Sequence, residues 1–378
     1  MEYREFGKCG FKVSTLGFGC MRLPILNGDD KQIDEEKSIS LIRYAIDNGV
    51  TYVDTAYPYH KGSSEILVGK ALKDDYREKV KLATKLPVWL AHTYEDFDKF
   101  LDEQLEKLQT DHIDMYLLHA LNKERWDELL KLDIFKFVKK ALSDGRIKQI
   151  GFSFHGKLES FKEIIDGYDW DFCQIQYNFL DDYDQAGTEG LEYAAKKGMA
   201  IVIMEPLKGG RLAKNPPISV KEEWNKSEVK KTPAEWALRW VFNHPEVTTV
   251  LSGMNSMEQI IENMKTADTA LANSLSERDL ELISNVKRQY NELIKVQCTA
   301  CNYCTPCPAG VDIPKNFALL NDAAMYDEYE AQSKSYNNLE LKQRAISCVE
   351  CGKCEELCPQ HLEIRKHLKQ VNLAMNNG

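Results

Sequence analysis

The chain has 378 residues, 43% of them hydrophobic, which exceeds the usual size of one domain and predicts one large and one small domain with a sizeable core. Its 59 acidic against 49 basic residues give a formal charge of −10, which argues against a nucleic-acid surface, where a basic patch must neutralise phosphates. No apolar run reaches the roughly 18 residues of a spanning helix, and the opening Met1-Glu2-Tyr3-Arg4-Glu5-Phe6 lacks the apolar core of a signal peptide. A cytoplasmic protein with neither nucleic-acid nor membrane partners is expected.

In chain order, residues 3–13 read as a hairpin with Gly7 and Gly10 bracketing its turn, and Leu16-Gly17-Phe18-Gly19-Cys20 as a first strand. Helix-period segments follow at 35–48, 64–72, 94–108, 125–142, 158–166, 188–197, 233–242 and 257–266. Strand-like runs lie between them at 52–54, 80–84, 113–118, 149–152, 172–175, 200–204 and 247–251. This alternation predicts an α/β fold, a (β/α)8 TIM barrel over residues 1–290. An open doubly wound sheet is disfavoured, because no G-x-G-x-x-G follows the first strand. A helix from 277 to about 295 leads to a small, mainly α-helical module over 291–378, with helices at 315–325 and 363–375 and a polar stretch near 328–338 between them.

Three successive strand-like runs end in chemistry. Asp54 closes Thr51-Tyr52-Val53-Asp54, with Tyr59 in the loop that Pro58 begins, and Lys85 and His119 close the next two runs. Reducing a carbonyl by hydride requires a proton for the oxygen. A tyrosine serves if an ammonium lowers its pKa, and a carboxylate can hold that ammonium. An imidazole can orient the carbonyl. Each of these residues alone is more often structural than catalytic; four matched positions after consecutive strands point to function.

With Val53-Asp54-Thr55-Ala56 and Tyr59, the chain resembles the aldo-keto reductases from about residue 3 to 268. That resemblance implies a catalytic tetrad of Asp54, Tyr59, Lys85 and His119, a small-molecule carbonyl substrate, and NADP or NAD bound extended. It further implies that Ser153 and Gln174 hold the carboxamide, and that Pro206-Leu207-Lys208-Gly209-Gly210 covers the diphosphate. Ser252-Gly253-Met254-Asn255 with Gln259, Glu262 and Asn263 would lie at the adenosine end. Cys20, Met21, Met204, Glu205 and Leu207 complete the expected cofactor residues. The chain departs from the family in having Phe154 where Asn commonly follows the serine, and Met204-Glu205 where an aromatic residue and Ser are common. It also places Gly253 and Gln259 where many members carry basic residues for a 2′-phosphate, so a strong NADPH preference is not implied.

Of eleven cysteines, only Cys9, Cys20 and Cys173 precede residue 298. The others form Cys298-x2-Cys301-x2-Cys304-x2-Cys307-Pro308 and Cys348-x2-Cys351-x2-Cys354-x3-Cys358-Pro359. Tetrahedral zinc also uses C-x2-C, but three thiolates at this spacing before a Cys-Pro form the ferredoxin pattern, in which the fourth cysteine serves the other cluster. Two 4Fe-4S clusters are expected, Cys298, Cys301 and Cys304 sharing one with Cys358, and Cys348, Cys351 and Cys354 the other with Cys307. The helical text between the groups resembles the α-helical ferredoxin domains of succinate dehydrogenase-type iron–sulfur subunits.

A nicotinamide passes two electrons as hydride, whereas each cluster passes one. Three functions follow: a nicotinamide-dependent carbonyl reductase, an electron-transfer oxidoreductase with a ferredoxin or flavoprotein partner, or a non-catalytic redox-sensing or binding barrel. The intact tetrad weighs against the last. Trp89, His92, His60 and His155 are candidate substrate-pocket residues.

Overall fold

The computed structural model describes every residue except Thr299, Cys301, Pro359, Asn377 and Gly378. Strands β1 (Tyr3–Glu5) and β2 (Lys12–Ser14) pair antiparallel as the expected hairpin. The parallel strands β3 (Leu16–Gly19), β4 (Tyr52–Asp54), β5 (Lys81–Leu86), β6 (Ile113–Leu121), β7 (Ile147–Phe154), β8 (Phe172–Gln176), β9 (Ala200–Met204) and β10 (Thr249–Ser252) follow. They close in sequence order, β10 pairing with both β3 and β9. An open sheet is thereby excluded.

Most barrel strands are buried on both faces, as expected where helices cover one side and side chains fill the other. Inside, Tyr52, Ala83, Met115, Leu117, Phe172, Ala200, Val202 and Leu251 pack with Phe6 and Val13 of the hairpin, which closes the end where the strands begin. Gly7 is required there. Its φ is 52°, and a Cβ would stand 2.6 Å from Ala200 N. Outside, the helices present apolar stripes at helical spacing, as Ile134, Phe137, Val138 and Ala141 do on Ile134–Ser143.

Three local expectations differ from the structure. The segment 125–142 forms two helices, Lys123–Lys131 and Ile134–Ser143, because Asp133 adopts a left-handed φ of 55° between them. A short helix, Ile218–Trp224, lies where none is expected. The polar stretch near 328–338 is the helix Tyr329–Asn337, whose buried residues Gln332, Ser333 and Tyr336 include only one large apolar group. Its inward face therefore gives no apolar period.

The polypeptide divides into two compact units, Met1–Ala213 with Ala234–Ser276, and Lys214–Pro233 with Glu277–Gly378. The second has its own core of Val296, Val311, Ile313, Phe317, Leu320, Tyr336, Leu368 and Val371, among others. Asn316 ties it from within, donating to the Asp312 and Gln343 carbonyls and accepting from Ala345 N. Ile218–Trp224 packs against Glu277–Glu292 in this unit. No helix among the described residues is long and apolar enough to cross a membrane.

Candidate active site

The tetrad assembles where three adjacent strands end. Asp54 is the last residue of β4, Lys85 the next to last of β5, and His119 lies near the end of β6. Beyond β4 the chain turns at Pro58 into a tight segment in which His60 and Lys61 have positive φ, and this turn delivers Tyr59. Lys85 Nζ donates to Asp54 Oδ1 at 2.7 Å, to Thr55 O at 2.8 Å and to Tyr59 Oη at 3.2 Å. Its three donors are thus directed by three acceptors. The Tyr59 and His119 rings meet edge to face at 6.2 Å.

Behind Lys85 lies a buried polar layer that sequence reasoning missed. Glu65 Oε1 accepts from Thr84 Oγ1 and Gln104 Nε2, both at 2.7 Å. Gln104 also donates to Lys85 O at 3.0 Å and accepts from Tyr116 Oη at 2.9 Å. A connected network of this kind fixes the strand end that carries the ammonium. Its only trace in the sequence is the polar identity of Glu65 and Gln104 on otherwise inward helix faces.

Burial pulls the Lys85 ammonium down, but Asp54 and Tyr59 outweigh it and hold the group above its ordinary value. Burial also raises the Asp54 carboxyl, against the opposing pull of Lys85. With Nζ saturated by acceptors, the charged pair is the state the geometry supports. Tyr59 departs from expectation. Burial lifts its pKa above 10, and the nearby ammonium only partly offsets that. His119 is driven well below 6.5 by burial, then by Lys85, His155 and Arg125, so its imidazole is neutral.

The tetrad opens into a cavity of about 350 Å³. Of the expected cofactor residues, Met21, Ser153, Gln174, Met204, Glu205, Leu207 and Gly253 line it; Cys20, Gln259, Glu262 and Asn263 do not. Cys20 is fully buried behind its strand end. The Gln259 side chain accepts from Asn255 N at the start of its own helix, and Asn263 is buried against Ser252. Arg22, absent from the expected set, faces the cavity between Glu205 at 3.9 Å and Gly253. Its position directly after Cys20-Met21 was the available signal.

The deep end of this cavity fits a carboxamide. Ser153 and Gln174 are register partners on β7 and β8. The Ser153 oxygen accepts from Ala120 N, which leaves its hydroxyl proton to donate. Gln174 Oε1 is buried with no hydrogen-bond partner, an acceptor that a carboxamide NH2 would satisfy.

A second cavity, of about 560 Å³, adjoins the tetrad and is lined by Tyr59, His119, Trp89, Arg125, Arg22, Asp30 and His60, among others. Trp89 and His60 thus line a cavity shared with Tyr59 and His119. His155 reaches the first cavity instead, and His92 lines neither.

In the second unit, Cys307, Cys348, Cys351 and Cys354 line one small cavity. This brings three thiols of the second group together with the Cys-Pro thiol of the first, as the crossed arrangement requires. Cys298, Cys304 and Cys358 are half-buried against the same unit's core, and Cys301 lies outside the described residues. The two groups share a backbone pattern. Positive φ recurs at Ala300 and Asn302 and again at Glu350 and Gly352, two and four residues after each first cysteine. It recurs once more at Gly310 and His361, three residues after each Cys-Pro cysteine, so the extra residue in the second group is absorbed just before Cys358. Alternating left-handed turns make the backbone nests that hold anionic clusters. Among the described residues, no three His, Cys, Asp or Glu side chains converge as ligands of a single ion.

A family model described as the Aldo/keto reductase family matches residues 15–286, and one described as a 4Fe-4S dicluster domain matches 297–363. The chain is 28% identical over 314 residues to "Probable aldo-keto reductase 1" of Glycine max, covering 74% of this chain and 87% of that protein. It is 27% identical over 298 residues to L-galactose dehydrogenase of Arabidopsis thaliana, covering 70% and 87%. The holo form of an aldo-keto reductase from Bacillus halodurans superposes with a TM-score of 0.63 at 26% identity, covering 76% of this chain and 96% of that one.

Proposed function

Since the chain belongs to the aldo/keto reductase family and carries a 4Fe-4S dicluster domain, we propose that it reduces a small carbonyl compound with hydride from NADH or NADPH. The observation that carries this reading is the buried Asp54–Lys85–Tyr59 hydrogen-bonded chain opening, beside a neutral His119, into a cavity that ends in the unpartnered Gln174 acceptor. A nicotinamide bound there would supply the hydride to the carbonyl carbon. Tyr59 gives its proton to the carbonyl oxygen, completing the alcohol, and Lys85 stabilises the phenolate left behind. Asp54 holds Lys85 charged. The neutral imidazole of His119 offers an N–H to the same oxygen, which fixes the carbonyl's direction. Ser153 and Gln174 hold the carboxamide, and Met21, Arg22, Leu207 and Gly253 line the path beyond it.

In the second unit, Cys298, Cys301, Cys304 and Cys358 would hold one 4Fe-4S cluster, and Cys348, Cys351, Cys354 and Cys307 a second. A second reading, electron exchange with a ferredoxin or flavoprotein, is favoured by one observation: Ile346, Val349 and Leu357 lie more than half exposed beside the second cysteine group. Anaerobic titration with NADH and NADPH separates the two. Carbonyl-dependent oxidation of the nicotinamide with unchanged cluster absorbance supports the reductase, whereas bleaching of the clusters without a carbonyl replaces it with electron transfer.

A further inference from the structure

The second cavity carries two guanidiniums, Arg22 and Arg125, against one carboxylate, Asp30. Arg22 also lines the cofactor cavity and is paired with Glu205 there. His60, whose Nε2 is fixed as acceptor by Leu23 N, donates its Nδ1–H to the Asp30 backbone carbonyl at 2.9 Å and lies 3.2 Å from the Asp30 carboxylate. Arg125 differs from both. Its guanidinium donates to Ala120 O at 2.6 Å and lies 5.3 Å from the centroid of the Trp89 indole, and no carboxylate among the described residues pairs with it. A half-buried guanidinium held by a carbonyl and an indole keeps donors free in a fixed fork, the geometry that carboxylates bind.

Arg125 is also close to the reacting position. Ala120, which it holds, follows His119, and the His119 ring lies 5.1 Å from the same indole. The arginine lines the second cavity with Tyr59 and His119 but not the cofactor cavity.

We infer that Arg125 is the anion anchor of the substrate pocket, and that the enzyme takes carbonyl compounds bearing a carboxylate a few carbons from the reacting carbon. This rests on the carbonyl-reductase reading, and the test separates the two. The cluster-loaded protein is assayed anaerobically with 4-oxobutanoate and with butanal, of equal chain length. A charge-assisted fork predicts a kcat/KM for 4-oxobutanoate about 10- to 100-fold above that for butanal. Arg125→Gln should collapse that ratio to within a few-fold of one, mainly through KM, with Arg125→Lys partly restoring it. A purely structural loss would lower both substrates alike and leave the ratio standing, which overturns the inference, as does a wild-type ratio near one. If neither aldehyde is reduced, the carbonyl-reductase reading fails, and calorimetry with succinate then decides the anion site alone. Binding that weakens at least tenfold in Arg125→Gln upholds it; no binding to the wild type, or equal binding to both proteins, removes it.

Discussion

In the proposed reaction Tyr59 is the residue on which the chemistry turns, and its environment sets the signs of the expected effects. Tyr59→Phe removes the proton donor while leaving the carboxamide site untouched, so turnover should fall by about 10²–10⁴-fold with nicotinamide affinity nearly unchanged; wild-type turnover in that variant would refute the assignment. Burial already holds Tyr59 above 10, and Lys85 is the group that restrains it. Lys85→Met should therefore raise the tyrosine further, shifting the alkaline limb of the pH–rate profile upward while the plateau drops. His119, held well below 6.5, stays neutral throughout the range in which an ordinary histidine titrates. Its native pKa lies below the unfolded one, so native stability on this account is full above pH 6.5 and declines as pH falls below it. Activity measured between pH 6 and 8 should accordingly show no titration of His119. The cofactor's far end is a residue-scale question as well. Lys208 is held by both Asp181 oxygens, Gln259 caps its own helix, and Gly253 has no charge to offer. NADH and NADPH should bind within about tenfold of each other; a much larger NADPH preference that Arg22→Ala abolishes would place the 2′-phosphate on Arg22.

At the scale of elements, what the sequence made legible was periodicity, and what it hid was whatever periodicity does not encode. Strands β3 to β10 and the helices between them other than Ile218–Trp224 follow from runs whose spacing matches their burial, and Asp54, Lys85 and His119 are legible because each stands at a strand end. The helix Tyr329–Asn337 was hidden because it buries Gln332 and Ser333 where a period search looks for apolar groups. The break at Asp133 was hidden because a left-handed aspartate leaves no apolar signature. Arg22 and Arg125 were missed because a surface-type residue reads as solvated until the fold places it on a cavity. Gly7, by contrast, was legible as a turn glycine but not for its reason, its approach to β9. Gly7→Ala should combine left-handed strain with a clash against Ala200 and destabilise the barrel by roughly 2–4 kcal/mol in a denaturant melt. A change below about half a kcal/mol would mean that the hairpin is not seated as described.

For the whole molecule, two units have separate cores, and the proposed function gives each its own electron chemistry on one chain. Protein purified without oxygen should contain about eight irons, and Cys307→Ser and Cys358→Ser should damage spectroscopically different clusters, since in the proposed assignment each serves the group opposite in sequence. Loss of the same cluster in both variants, or stoichiometric zinc without iron, would contradict that assignment. The central claim is that a hydride passes directly to a carbonyl carbon at Tyr59, without passing through the clusters. It is tested most directly with nicotinamide deuterated at its transferable position, mixed anaerobically with cluster-loaded protein and an aldehyde. The account predicts one deuterium on the product's alcohol carbon and unchanged cluster absorbance throughout turnover. Alcohol formed with solvent hydrogen on that carbon, together with transient bleaching of the clusters, would contradict it.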